Sequence, residues 1–240
     1  MSVAVITGAS RGLGRAVARE LDRRGWHLVL DARDAEALQR SSAPLSPDRV
    51  RLVPGDVADE AHRQALVDAV DTLGRLDLLL NNASDLGPSP LPPLDRLPPE
   101  RFAAVLEVNT IAPLALIQRL LPLLQSARGT VINVSSDAAV EAHAGWGGYG
   151  SSKAALDHLS AVLAQEQPGL SVYALDPGDM RTAMHQAAFP DEDISDRPAP
   201  ETVVPALLRL LEEHPESGRY RAADLLADDG GAELALAGRA

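Results

Sequence analysis

Short apolar runs rich in β-branched residues alternate along this chain with longer stretches of helical period. An apolar run without polar alternation belongs to a strand covered on both faces. Covering both faces of a parallel sheet takes crossover helices. The pattern predicts strands at Val3–Thr7, His27–Asp31, Val50–Pro54, Leu76–Leu80, Thr130–Ser135, Leu170–Asp176 and Gly218–Ala222. It predicts helices at about Gly12–Arg24, Glu60–Leu73, Pro99–Leu124, Tyr149–Gln165 and Pro200–Glu213. The expected fold is α/β: a doubly wound, seven-stranded parallel sheet with helices on both faces. A length of 240 residues lies within what one core supports, so one domain over 1–240 is expected, and no internal repeat is visible.

Two segments interrupt the alternation. Gly87 to Pro99 holds six prolines, and His185 to Pro200 holds the acids Asp191, Glu192, Asp193 and Asp196. Any single loop of this kind is usually a solvated spacer. These two follow carboxyl ends of strands, the edge where open α/β sheets bind ligands. Loops at about 84–98 and 180–200 are therefore expected to face a substrate.

Composition removes several function classes. A formal charge of −12 and a pI near 4.9 oppose nucleic acid and anionic membrane surfaces, because both would repel the chain before contact. Cysteine is absent, which excludes disulfides, thiolate catalysis and Cys-ligated metal sites; no metal is expected. The N-terminus has no basic region before the short apolar stretch Val3 to Ile6, and the longest apolar tract, Ile111 to Ile117, falls short of a membrane span. A soluble cytoplasmic protein is expected.

After the first strand comes Thr7-Gly8-Ala9-Ser10-Arg11-Gly12-Leu13-Gly14, then a helical pattern through Leu21. Glycines at 8, 12 and 14 let the backbone turn tightly and approach a pyrophosphate, whose charge meets the N–H groups of the helix beginning there. The same residues spell the nucleophile elbow G-x-S-x-G. That elbow needs several preceding strands to build an oxyanion hole, and here one precedes, so Ser10 is not read as a nucleophile. Gly-Lys-Ser/Thr, the mark of a P-loop, occurs nowhere.

Tyr149 and Lys153 stand at i and i+4 of a predicted helix, on one face and one turn apart. An ammonium beside a phenol favours the phenolate, and burial of the lysine favours its neutral form. On this reading Tyr149 exchanges protons near neutral pH, as general acid–base work requires. Of 22 basic residues, 21 are arginine and Lys153 is the single lysine. Thirteen residues before Tyr149, at a strand end, stands Ser136, whose hydroxyl is placed to hold a carbonyl oxygen. Ser135 is its rival, though strand-end backbone bonding is the ordinary role for such a serine.

Taken in order, the Thr7–Gly14 turn, Asp56-Val57, Asn81-Asn82-Ala83, Asn109, Ser136, Tyr149, Lys153 and Pro177-Gly178 with Thr182 make the chain resemble a classical short-chain dehydrogenase/reductase over nearly its full length. The resemblance implies a single-domain Rossmann fold and hydride exchange between a nicotinamide cofactor and a carbonyl or alcohol. It implies that Tyr149 is the general acid in reduction and the base in oxidation, and that Ser136 orients the substrate oxygen. By the same resemblance Lys153 binds the nicotinamide ribose and lowers the Tyr149 pKa, and Asn109 anchors a proton-relay water. Gly8, Ser10, Arg11, Gly12, Leu13 and Gly14 would cradle the phosphates. Asp56 and Val57 would flank the adenine, Asn82 and Ala83 the adjacent ribose, and Pro177, Gly178 and Thr182 the carboxamide. Long helices such as Pro99–Leu124 and Tyr149–Gln165 pair between subunits in this family, so a homodimer or homotetramer is expected.

Three residues depart from the family pattern. Ser84 stands where glycine is usual and is expected to affect loop packing only. Asp137 follows Ser136, and Asp176 precedes Pro177 where a small residue is common. Either acid would disfavour an anionic substrate, unless it caps a turn or forms a salt bridge.

An acid at the end of the second strand favours NAD, whereas an arginine accommodates the extra phosphate of NADP. Asp31 points to the first. The family resemblance puts the discriminating position one residue later, on Ala32, and Arg33 with Arg11 would form a cationic pair suited to a phosphate. NADP(H) is therefore expected over NAD(H). The substrate pocket is expected to involve Asp137, Trp146, Met180 and Met184, with Leu86, Ala138, His143 and His185 nearby; Trp146 is read equally as packing against the helix start. A small neutral carbonyl, aromatic or dicarbonyl, fits best. The stretch from Lys153 to Pro177, with Glu166-Gln167-Pro168, and Gly218-Arg219-Tyr220 look similar to the sepiapterin and benzil reductase branch. The competing readings are an NADP-sensing regulator without turnover, an NAD-dependent alcohol dehydrogenase, and a dehydratase or epimerase. The last would need an added C-terminal domain.

Overall fold

The structure, a computed structural model, describes residues 1–227; the last thirteen of the expected 1–240 span lie outside the described residues. Seven parallel strands form one sheet: β1 (Val3–Ile6), β2 (His27–Ala32), β3 (Val50–Pro54), β4 (Leu78–Asn81), β5 (Thr130–Val134), β6 (Ser171–Asp176) and β7 (Gly218–Arg221). Their spatial order is β3-β2-β1-β4-β5-β6-β7. From β1 the chain first builds outward through β2 and β3, then returns to start β4 on the other side of β1. Ligands of such sheets bind in the crevice above that reversal, outside the carboxyl ends.

Strand side chains alternate between two apolar layers. Ala4 and Ile6 pack with Val17 and Leu21 of α1 (Gly12–Arg23), Leu38 of α2 (Ala35–Ser42) and Leu207 of α8 (Val204–Glu213). Val3 and Val5 pack with Leu66 of α3 (Glu60–Asp71) and Leu120 and Leu124 of α5 (Ala112–Ala127). Burial of a leucine such as Leu79 or Leu80, both fully inaccessible, contributes roughly 1.5–3 kcal/mol each. Covered on both faces, the strands hold their carboxyl ends at fixed positions.

The remaining helices are α4 (Pro99–Leu106), α6 (Gly147–Glu166), α7 (Ala183–Ala188) and α9 (Ala222–Ala227). Helices α4 and α5 join through a π-turn at Glu107–Ile111 into one continuous 29-residue helix. By length and composition this helix is long and apolar enough to cross a membrane, which corrects the reading of Ile111–Ile117 as merely a short tract. Half of its apolar window is buried, with Leu116, Ile117, Leu120 and Leu124 against the sheet. The wider turn at its middle brings Asn109 behind the carboxyl edge of β4. Helix α6 begins two residues earlier than expected, because Gly147 and Gly148 carry no helical propensity that a sequence would show.

Candidate active site

One cleft of about 420 Å³ lies along the carboxyl edge and brings together residues from both halves of the sheet. At one end is the turn after β1. Gly8 has φ +67, and a Cβ there would meet Ala83 backbone at 3.0 Å and Asn82 Nδ2 at 2.9 Å. Gly14 lies beneath the turn, where a Cβ would sit 2.6 Å from the Gly8 oxygen, so only glycine lets helix and turn approach this closely. Helix α1 opens without a side-chain cap and with no acid in its first turn. Its first N–H groups and positive dipole end therefore remain available to an anion. Ser10, Arg11, Gly12 and Leu13 line the cleft at this point. The architecture fits the pyrophosphate of a dinucleotide.

Beyond the turn, Asp56, Val57 and Arg33 line the far wall. Arg33 and Arg11 are exposed, and neither forms an ion pair among the described residues. Asp31, by contrast, is 1% exposed and committed: His62 Nε2 lies 2.7 Å from its Oδ1, and Gly8 N donates to Oδ2 at 3.4 Å. Burial, opposed by His62 and Gly8, raises its pKa from the ordinary carboxylate value. Asn82 Nδ2 donates to the Thr7 and Gly8 carbonyls, while Thr7 Oγ1 accepts from the Asn82 and Ala83 amides. Asn82 is thus a brace for the turn.

At the other end stand Tyr149 and Lys153 of α6 and Ser136 after β5. Lys153 is 1% exposed, and its Nζ donates to the Val134 carbonyl at 2.7 Å while lying 5.6 Å from the Tyr149 ring centre. Burial pulls the lysine down to about 8, against the opposing pull of Asp157 one turn further along α6. The expectation of a phenol titrating near neutral pH is overturned here. Burial pushes Tyr149 up to about 12, Asp137 and Asp176 push the same way, and the Ser84 and Ser136 hydroxyls oppose them. Helical spacing set the face shared by Tyr149 and Lys153, but a strand carbonyl captures the ammonium.

Ser136 Oγ donates to Asp137 Oδ1 at 2.8 Å and opens on the cleft. Ser135 is buried, and its hydroxyl has no hydrogen-bond partner among the described residues. Asp176 both caps and salt-bridges: its Oδ1 accepts from Gly178 N at 3.0 Å and its Oδ2 from Arg219 at 3.0 Å. Arg219 also donates to Asp157 and to the Ser136 carbonyl, tying β5, α6, β6 and β7 together behind the site. Pro177, Gly178 and Thr182 line the cleft, with Thr182 Oγ1 capping α7 through His185 N.

Asn109 lies 1% exposed behind the wall. It accepts from Ser84 Oγ and Asp85 N and donates to the Asp85 carbonyl and Ser152 Oγ. The expectation that Ser84 affects loop packing only is extended, since its hydroxyl donates to Asn109 Oδ1 at 3.2 Å and lines the cleft. Trp146 meets Tyr149 edge-on at 5.7 Å and Phe189 at 5.9 Å. Met184, Leu86 and Ala138 complete this apolar corner. Met180 lines the cleft but packs against the α1 and α8 layer instead. His143 is outside the cleft, exposed beside Asp137 at 4.0 Å. Ser84, Arg219, Asp157 and the His62–Asp31 pair are the members of the site that sequence reasoning either missed or misread.

The sequence model of the family described as short chain dehydrogenase matches residues 2–193. The chain belongs to the short-chain dehydrogenases. It is an NAD(P)-dependent oxidoreductase of the classical type. Among relatives of this short-chain dehydrogenase, the uncharacterised oxidoreductase YciK of Escherichia coli K12 is 33% identical over 217 residues, covering 87% of this chain and 85% of its own. Sepiapterin reductase of Bos taurus is 35% identical over 203 residues, covering 78% and 76%. A short chain dehydrogenase structure from Shigella flexneri, complexed with NADP, is 30% identical and superposes with a TM-score of 0.85, covering 92% of this chain and 97% of its own. The dehydrogenase thus shares its sheet and helices with solved structures across the length that holds the cleft.

Proposed function

We propose that the protein is an NADP-dependent carbonyl reductase in which Tyr149 delivers a proton to a substrate oxygen held by Ser136. The observation that carries this reading is one cleft holding both a dinucleotide cradle and the Ser136, Tyr149 and Lys153 side chains. The cofactor supplies or accepts the hydride, and its oxidised nicotinamide carries a positive charge. Lys153 would bind the nicotinamide ribose. Asn109 would anchor a relay water. Asp56, Val57, Asn82, Ala83, Pro177, Gly178 and Thr182 would contact the cofactor along its length.

NADP is favoured over NAD because the one acid at the end of β2, Asp31, is spent on His62 and Gly8, while Arg33 and Arg11 remain available. The NADP complex of the Shigella relative supports the same choice. Arg33→Ala is expected to raise the Michaelis constant for NADPH about tenfold or more with little change for NADH, since a charge-assisted bond to phosphate is lost. Equal changes for both cofactors would contradict the assignment.

The substrate is a small neutral carbonyl compound, aromatic or dicarbonyl, taken between the loops at 84–98 and 180–200. The apolar corner of Trp146, Met184 and Leu86 suits a flat ring, and the exposed Asp137 repels anions, whereas Asp176 is capped and salt-bridged. Similarity to sepiapterin reductase supports this class. Consumption of NADPH against a panel of diketones, aromatic ketones and pterin carbonyls tests it; binding of NADPH without turnover of any of them would favour a sensor instead. The protein is read as a cytoplasmic homodimer or homotetramer, and the exposed Ile111 of the π-turn, Leu114 of α5 and Val162 of α6 supply apolar surface for pairing.

A further inference from the structure

His62 of α3 is buried where the carboxyl ends of β2 and β3 meet. Its Nε2 lies 2.7 Å from Asp31 Oδ1. The rest of the ring presses on Gly55, just past β3, where a Cβ would sit 2.2 Å from Nδ1 and 2.6 Å from Cγ. Gly55 is not among the glycines of positive φ, so the ring beside it, not the backbone, requires a glycine here. Backbone bonds hold both strand ends around the ring without help from a side chain: Gly55 N donates to the Ala32 carbonyl at 3.0 Å and Ala9 N to the Asp31 carbonyl at 2.7 Å.

Asp31 lines the same cleft as Arg33 and Arg11, and its other side-chain partner is Gly8 N at 3.4 Å. A buried carboxylate that loses its main donor is left underbonded and turns to whatever hydroxyl or water the cleft provides. An unphosphorylated adenosine ribose provides two hydroxyls. A ribose bearing the 2′-phosphate brings negative charge, which a nearby carboxylate repels. No cation stands in for His62: Arg33 and Arg11 form no ion pair among the described residues. The two neighbouring acids are engaged elsewhere, Asp56 accepting from Ala58 N and Asp34 from Ala37 N.

We propose that His62 is a positioning residue that sets cofactor selectivity: by holding the Asp31 carboxylate inside the sheet edge, it keeps the end of β2 open to a 2′-phosphate. This role rests on the reading of the protein as NADP-dependent. Arg33 and Arg11 attract the phosphate, and His62 withdraws the acid that would oppose it. Selectivity then depends on a helix residue 31 positions beyond the strand end it acts on.

Dissociation constants for NADPH and NADH, measured by nicotinamide fluorescence without a carbonyl substrate at about pH 8, where a released carboxylate is ionised, test this role. His62→Leu fills the site without a donor, and the ratio of the NADH constant to the NADPH constant is expected to fall about tenfold, chiefly through weaker NADPH binding. His62→Gln, whose amide still donates to Asp31, keeps the wild-type ratio. Adding Asp31→Asn to His62→Leu restores it, because no carboxylate remains to be released. Asp31→Asn alone preserves the shape of the pair and is expected to leave the ratio within about twofold, which decides the matter if His62→Leu does not fold. An unchanged ratio in His62→Leu, no rescue in the double variant, or a rise of about tenfold in Asp31→Asn alone would overturn the proposal. Wild-type protein that binds NADH as tightly as NADPH would overturn instead the NADP reading on which it rests.

Discussion

Replacing Tyr149 by Phe is expected to lower kcat/KM for carbonyl reduction about 10²- to 10⁴-fold, the usual worth of a positioned general acid. The fold should be unaffected, because the ring keeps its edge-on contact with Trp146 and its place in the apolar corner; only the hydroxyl is lost. Affinity for NADPH, followed by fluorescence, should change little, since the phosphate cradle after β1 is untouched. The pH dependence follows from the raised phenol pKa. Reduction needs the protonated form, so burial, which pushes Tyr149 up to about 12, keeps the acid form available across neutral pH. Alcohol oxidation needs the phenolate, so its rate should climb with pH over the same range in which reduction is flat. A reduction rate that rises with pH through the neutral range would contradict this assignment.

Lys153→Arg is the second large effect, with turnover expected to fall by about 10²-fold or more. Elsewhere in the chain an exposed arginine serves as well as a lysine, and all 21 other basic residues are arginine. At 153 the exchange is not conservative. The side chain is 1% exposed, and its compact head fits a single bond to the Val134 carbonyl. A planar guanidinium is larger and stays charged, whereas this lysine is pulled down to about 8 by burial. Overpacking at so enclosed a position is also expected to destabilise the arginine variant by about 1–3 kcal/mol. Lys153→Met separates the causes, because it keeps the buried stem without a charge. Loss of turnover in both variants, with Met unfolding cooperatively, assigns the effect to the ammonium. An active arginine variant would reduce the solitary lysine to a compositional accident.

The strands were legible because their runs are buried on both faces, as Val3–Ile6 and Leu78–Asn81 show; their ends differ from expectation by one or two residues. The glycine turn was legible because only glycine fits at 8 and 14. Tyr149, Ser136 and Lys153 were legible as a set because sheet topology places strand ends and the start of α6 on one edge. Helix α2 escaped notice although Asp34 capping Ala37 N was an available signal; a single buried leucine, Leu38, leaves almost no period to read. The contacts behind the site were not legible. Arg219 meets acids 43 and 62 positions away, and His62 meets Asp31 across 31, pairings that exist only once the sheet is assembled. Ser84 was misread for the same reason, since Asn109 lies 25 residues on and reaches it only through the π-turn.

Hydride transfer from NADPH to a carbonyl carbon, with Tyr149 as the proton source, is the reaction on which all these residue roles converge. NADPH carrying deuterium at the transferable position, incubated with benzil and the diketone and aromatic ketone panel, tests it in one experiment. The expected result is deuterium on the carbinol carbon of the product from wild-type protein, and at least 10²-fold less from Tyr149→Phe in about the same time. Labelled NADPH consumed without deuterium in the alcohol, or equal labelling by Tyr149→Phe, would contradict it.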